Sequence, residues 1–146
     1  MEQITEDFVS SQLAKLLAAK GFDVPTLRFY DSQDIPCVSG RNEPFNWNEF
    51  KDSRCPSFSR PTVQMVLKWL RIKHNLIIVI DYGKWERYEN TDTLIGYVFS
   101  IMKTENPTDV FYMSEYAYST HEKATDAAII HCLTEFIEPK TNKKHI

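Results

Sequence analysis

Glycine is scarce in this chain: four residues in 146, Gly21, Gly40, Gly83 and Gly96, with no two close together. A phosphate-cradling loop needs glycines within a few residues of one another, so that backbone N–H groups can approach the anion. A P-loop and a dinucleotide fingerprint are therefore excluded in their usual form. Cysteine is scarce too. Cys37, Cys55 and Cys132 are odd in number and irregular in spacing, which describes neither a disulfide framework nor a zinc knuckle. His131 and Cys132 adjoin each other and would project in different directions from a helix. No G-x-S-x-G nucleophile elbow occurs, and the acidic residues are scattered over polar positions without a pair placed for general acid–base work. No catalytic residue, metal site or cofactor is expected.

Long apolar runs are also missing. None approaches the roughly 18 residues of a membrane span, and the opening "MEQITEDFVSS" is acidic where a secretory leader is basic and then apolar. No membrane association is expected, and the free thiols suit the cytoplasm. A basic region is likewise lacking. The formal net charge is −3; residues 1–60 carry 7 basic and 9 acidic side chains, residues 61–118 carry 6 and 7, and residues 119–146 carry 4 and 4. A large phosphate-neutralising surface is disfavoured on that balance.

What is present is apolar and aromatic material in ordinary globular proportion: 42% hydrophobic, 25% charged and 13% aromatic residues. The length suits one domain with a real core, expected over residues 1–139. The spacing of Val9, Leu13, Leu16 and Leu17 predicts a helix over 5–20, capped by Thr5 and stopped by Gly21, with Phe22 closing on Leu17. Residues 23–60, broken by Pro25, Pro36, Pro44 and Pro56, read as irregular, with a hairpin around "DSQD" and with Phe45, Trp47 and Phe50 anchoring the rest. Pro61 then opens a helix over 61–74 that is apolar around most of its girth and should be largely enclosed.

At His74 the period changes. "LIIVIDY" reads as a central strand buried on both faces, Gly83-Lys84 as a turn, and "LIGYVFSIMK" and "VFYMSEYAY" as two further strands separated by "TENPTD". An antiparallel sheet over 76–118 follows. Ser119 and Glu122 form a capping box opening a helix over 119–138, with Ala127, Ile130, Leu133 and Ile137 toward the core. Residues 140–146 read as a disordered tail. The fold class is α+β: a three-stranded antiparallel sheet flanked by two helices, αβββα, with an added N-terminal helix and the Pro/aromatic-rich segment.

Helix–three strands–helix, with the alanine-rich "STHEKATDAAIIHCL" as the closing helix, resembles the double-stranded RNA-binding domain. That resemblance implies phosphate contacts from His121 and Lys123 and a loop position for Lys84. Glu122 and Asp126 interrupt the basic cluster that such domains carry there, and their Gly-His loop signature is absent, which weighs against nucleic acid as partner. A second resemblance covers most of the chain. "ITEDFVSSQLAKLLAAKGFD", "RPTVQMVLKWLRIKHNLIIVI" and "YSTHEKATDAAIIHCL" resemble a family of small proteins from bacteriophages and prophage-like elements of gut bacteria, without an assigned activity. It implies a bacterial cytoplasm and a small accessory role.

The expected function is therefore a non-enzymatic protein-interaction module, pairing with itself through a sheet edge or aromatic patch, or with a host or phage protein. Trp85, Tyr88, Tyr112, Tyr116 and Tyr118, on or beside the strands, are the candidate interaction surface. A nucleic-acid module through Lys84, His121 and Lys123, and an enzyme with a site hidden from sequence, are the alternatives.

Overall fold

The computed structural model describes residues 4–49, 56–86 and 93–140. Among these the chain is α+β, with three α-helices and two three-stranded antiparallel sheets. It forms two compact units, Met1–Trp69 with Ile137–Ile146, and Leu70–Phe136. No described helix is long and apolar enough to cross a membrane.

In the first unit, helix α1 spans Ser11–Ala19 rather than starting at Thr5. Residues just before it are held extended instead: Val9 N–H donates to Pro61 O at 3.1 Å and Val63 N–H donates to Asp7 O at 2.8 Å. This pairing satisfies the backbone and buries Val9, so the helix begins only where Ser10 Oγ can accept from Leu13 N–H, at 3.2 Å. The other end follows the sequence. Gly21 takes φ 90°, Phe22 N–H reaches Leu17 O at 2.9 Å, and Leu17 and Phe22 are both buried.

Residues 23–49 and 56–60 are more ordered than their irregular pattern suggests. Strands β1 (Arg28–Tyr30) and β2 (Pro36–Val38) form the hairpin, and β3 (Phe58–Ser59) pairs with the other side of β1. The Asp31 carboxylate shapes the turn by accepting from Gln33 N–H at 2.8 Å and Ile35 N–H at 2.9 Å. Side chains knit in the rest. Asn48 donates to Phe22 O and accepts from Ser59 N–H, both at 2.9 Å, while the Trp47 indole N–H donates to Thr26 O at 2.9 Å. Phe50 and Cys55 lie outside the described residues.

Helix α2 spans Val63–His74 and runs from the first unit into the second. Its cap is Thr62, whose Oγ1 accepts from Met65 N–H at 3.2 Å, so Pro61 precedes the helix instead of opening it. Val66, Trp69 and Leu70 are buried, but Ile72 is 61% exposed, so the helix is less enclosed than its apolar girth predicts. Asn75, in the left-handed region at φ 56°, redirects the chain into the sheet.

The second unit is built on β4 (Leu76–Glu86), β5 (Thr93–Lys103) and β6 (Asn106–Met113), in that order. The central strand is β5, not the "LIIVI" strand: Val98, Phe99 and Ile101 are buried, whereas Ile77 to Ile80 are half-buried on an edge. Gly83 and Lys84 do not turn the chain; they continue β4 opposite Gly96 and Ile95. The third strand ends at Met113. Beyond it Ser114 acts as a side-chain rung, donating N–H to Phe99 O at 2.9 Å and accepting from Phe99 N–H at 3.1 Å. Tyr118 then returns to pair with Tyr97 through bonds of 2.9 and 2.7 Å.

Helix α3 (His121–His131) continues into a π-helical turn, Cys132–Phe136. Thr120, not Ser119, is its cap, with Oγ1 accepting from Lys123 N–H at 3.1 Å. It packs across β4 and β5, on the sheet face that carries Tyr97, Phe99 and Ile101. The buried row is Ala124, Ala128, Ile129, Cys132 and Leu133. Leu133 and Ile137 are buried as the spacing predicts, but Ala127 is half-buried and Ile130 is 43% exposed. The helix lays its small residues on the sheet, and a row of alanines fits either of two neighbouring faces on sequence alone. Residues 141–146 of the expected tail lie outside the described residues; Lys140 N–H still bonds Ala19 O at 2.9 Å.

Candidate functional site

The two edges of the β4–β5–β6 sheet differ in kind. Along β6 the register slips twice, between the partners of Ile101, Met102 and Lys103, passing over Phe111 at the first slip and residues 107–109 at the second. Pro107 also removes one N–H from that strand. Bulges and proline are devices that blunt an edge against further pairing. Strand β4 has neither. Its 11 residues stay in one uninterrupted register with β5, and among the described residues no strand pairs with its other side.

The phase of that open edge can be derived. Thr104 N–H donates to Asn75 O at 2.9 Å, so Asn75 faces β5. Antiparallel alternation then turns the backbone groups of Ile77, Val79, Asp81 and Gly83 toward β5. Those of Leu76, Ile78, Ile80, Tyr82 and Lys84 point outward. With Glu86, six residues thus present N–H and C=O groups in a row, on a strand whose first half is apolar. Of the charged residues up to Lys84, Asp81 and Lys84 are both exposed.

Next to the edge lies an aromatic ledge. Strands β4 and β5 are about 37 Å long at the usual strand rise, while His121–Phe136 covers at most about 24 Å. The ribbon therefore outruns the helix at its Tyr82–Glu86 end. There Tyr82 and Ile95 are 67% and 69% exposed, and Tyr82 faces Tyr97 across the strands with ring centroids 4.7 Å apart. His121 meets Tyr97 edge-on at 5.8 Å, and Lys84 stands opposite Ile95 one row further out.

Of the residues expected to form an interaction surface, the three whose side chains are described differ in exposure. Tyr112 is half-buried under α3, stacked on His131 at 3.8 Å and 19°. Burial and, after it, the Glu115 charge raise its hydroxyl pKa, so it remains a neutral phenol. Tyr118 lies beside Phe99, at 6.1 Å, and is half-buried as well. Tyr116 is 66% exposed. Tyr88 and the side chain of Trp85 lie outside the described residues. Of the candidate phosphate contacts, Lys84 is in a strand and not a loop, His121 belongs to the ledge, and Lys123 directs its amine to Ser119 Oγ at 3.2 Å. Tyr82 and Ile95 are the exposed ledge residues that the sequence reading did not single out. The signal was the parity of the strand, since Tyr82 falls in register with Ile78 and Ile80 on the side that the helix covers only in part.

Burial pushes the Cys132 thiol up to about 12, which leaves it protonated and unreactive at neutral pH. Cys37 is half-buried, with its sulfur 3.4 Å from Ile35 O. Among the described residues no three His, Cys, Asp or Glu side chains come together as a metal-binding group. Comparison with family models, curated proteins and solved structures returns no match.

Proposed function

We propose that this protein is a non-enzymatic interaction module whose binding element is the outer edge of β4, and that its partner there is a second copy of the chain. The observation that carries the reading is the contrast between the two sheet edges: β6 is bulged and interrupted, β4 is long, regular and open. Strand addition draws its affinity from main-chain hydrogen bonds and its register from alternate side chains. An antiparallel pairing centred on Ile80 sets Leu76 opposite Lys84, Ile78 opposite Tyr82 and Asp81 opposite Val79. Neither charge then meets its own copy, so the strand is self-complementary. Because one edge is blunted, the pairing closes at two copies and does not propagate. An accessory role in a phage or prophage setting, which the sequence resemblance implies, suits such a module.

Two proline substitutions on adjacent, exposed residues test it. Tyr82→Pro removes an outward N–H, which an edge strand tolerates; Asp81→Pro removes an N–H committed to β5. Light scattering coupled to size exclusion should give twice the monomer mass for the wild type and the monomer mass for folded Tyr82→Pro, while Asp81→Pro loses sheet content. A wild-type monomer at about 100 μM, above the Kd of an ordinary dimer, or a Tyr82→Pro variant that still dimerises, would refute the proposal.

A further inference from the structure

The first unit sets two like charges directly against each other. Arg28 in β1 stands opposite Arg60, one residue beyond β3: Phe29 and Ser59 are partners in the register, and Arg60 N–H donates to Arg28 O at 3.0 Å. Residues that face each other in this way project from the same side of a sheet, where like charges repel. The repulsion is not relieved locally. Among the described residues no carboxylate comes within ion-pair distance of either guanidinium; Asp34 pairs with Lys15 at 2.9 Å, and Asp31 is engaged by its own turn.

One aromatic ring holds both cations. Arg60 Cζ lies 4.4 Å and Arg28 Cζ 4.9 Å from the centre of the Phe8 ring. Arg60 is fixed further through Nε, which donates to the hydroxyl of buried Tyr30 at 3.2 Å; that hydroxyl donates in turn to Val9 O. Stacking occupies the flat face of a guanidinium and spares the N–H groups in its plane. The Nη groups of Arg60 and all the side-chain donors of exposed Arg28 have no acceptor among the described residues. We infer that this pair binds a phosphate dianion, with each guanidinium donating to its oxygens. Two positive charges match the two negative ones, whereas a carboxylate or a phosphodiester offsets only one, and each planar fork suits two oxygens of the anion. Phe8 holds both side chains and Tyr30 one of them before the ligand arrives, which lowers the cost of ordering them. Val38, 54% exposed, stands opposite Arg28 across β1 and β2, so an organic ester group would meet an apolar neighbour there. The inference is independent of pairing through β4.

Amide chemical shifts of the full-length, isotope-labelled protein test it, in titrations with phenyl phosphate and with inorganic phosphate. The pH is held at about 8, above the second phosphate pKa of about 6 for an ester, and the ionic strength at about 0.15 M. Saturable shifts at Phe8, Arg28 and Arg60 are expected, with a Kd of about 1 mM. Tighter binding of phenyl phosphate assigns the site to phosphomonoesters; equal or tighter binding of inorganic phosphate assigns it to the free ion. Arg28→Gln alters one exposed side chain and should weaken binding about tenfold, the worth of one hydrogen bond to a charged group. Lys68→Gln, which removes an exposed cation elsewhere, should leave the titration unchanged. The inference is overturned if neither phosphate gives a saturable shift up to about 20 mM, well above that Kd. It is equally overturned if dimethyl phosphate, a monoanion, binds as tightly as the dianions, or if Arg28→Gln weakens binding no more than Lys68→Gln.

Discussion

Replacing Gly96 by alanine should destabilise the second unit by about 3 kcal/mol. The backbone there has φ 137°, where an L side chain is strained, and such residues cost on the order of 1–3 kcal/mol. A Cβ at Gly96 would also stand 2.6 Å from Tyr118 O and 3.4 Å from Ala117 Cβ. The nearer atom is backbone, held by the two Tyr97–Tyr118 hydrogen bonds, so it cannot swing aside as a side-chain tip would. Relieving the contact means opening that pair, at about 1 kcal/mol per bond. A loss of about 3 kcal/mol lowers Tm by roughly 6–12 °C in a chain of this size. Gly40→Ala is the matched control, because nothing lies within 4 Å of its added Cβ; at an ordinary φ it should be neutral or stabilise by up to about 1 kcal/mol. Urea unfolding and amide hydrogen exchange measure both. In Gly96→Ala the Tyr97 and Tyr118 amides should lose protection first. If Gly96→Ala stayed within about 0.5 kcal/mol of wild type, the range of an uninvolved surface change, with those two amides still protected, the close approach would not be what confines this position to glycine.

Ser10→Ala should cost about 1 kcal/mol, whereas Thr5→Ala should cost almost nothing, since only Ser10 caps α1; equal losses in urea unfolding would return the helix start to Thr5. Cys132 should make the fold sensitive to alkali. Its thiol is raised from 9.0 to about 12 by burial, so between those values the folded chain keeps a proton that the unfolded chain releases. Stability should then be constant below pH 9 on this account and fall by up to about 1.4 kcal/mol per pH unit above it. Cys132→Ala, compared with wild type in urea unfolding at pH 8 and pH 10, should flatten that decline, and an unchanged slope would assign it to other groups.

Features with unique local chemistry were legible in the sequence. Gly21 stops α1 because only a left-handed residue lets Phe22 close on Leu17, and Asp31 shapes its turn through its own carboxylate. Features decided by distant partners were not. Thr5 and Ser10 are both able to cap, and the choice is made by extended pairing with residues 61–63, far along the chain. "LIIVI" suits a central or an edge strand equally well, because the composition of one strand does not say whether a second neighbour exists. Gly83 reads as a turn, yet it continues β4 opposite Gly96. Strands of two or three residues carry no period, so β1 to β3 emerge only once Trp47 and Asn48 supply side-chain bonds. For the candidate site, the sequence located tyrosines on strands but not their outlook. Tyr112 turns under α3, while Tyr82 is left open where the ribbon outlasts the helix.

The first unit is made of two stretches of chain, with the whole of the second unit threaded between them. Ile137, 7% exposed, accepts from Lys20 Nζ through its carbonyl at 2.9 Å, and Lys140 N–H closes on Ala19 O. The order of synthesis is therefore not the order of completion. As the chain leaves the ribosome, α1 and the small sheet are made first, yet the C-terminal stretch that covers α1 arrives after all of Leu70–Phe136. The nested unit can finish folding while the earlier one still waits. A chain released at Phe136 would carry every residue of the second unit yet lack residues 137–140, whose bonds to Ala19 and Lys20 close the first.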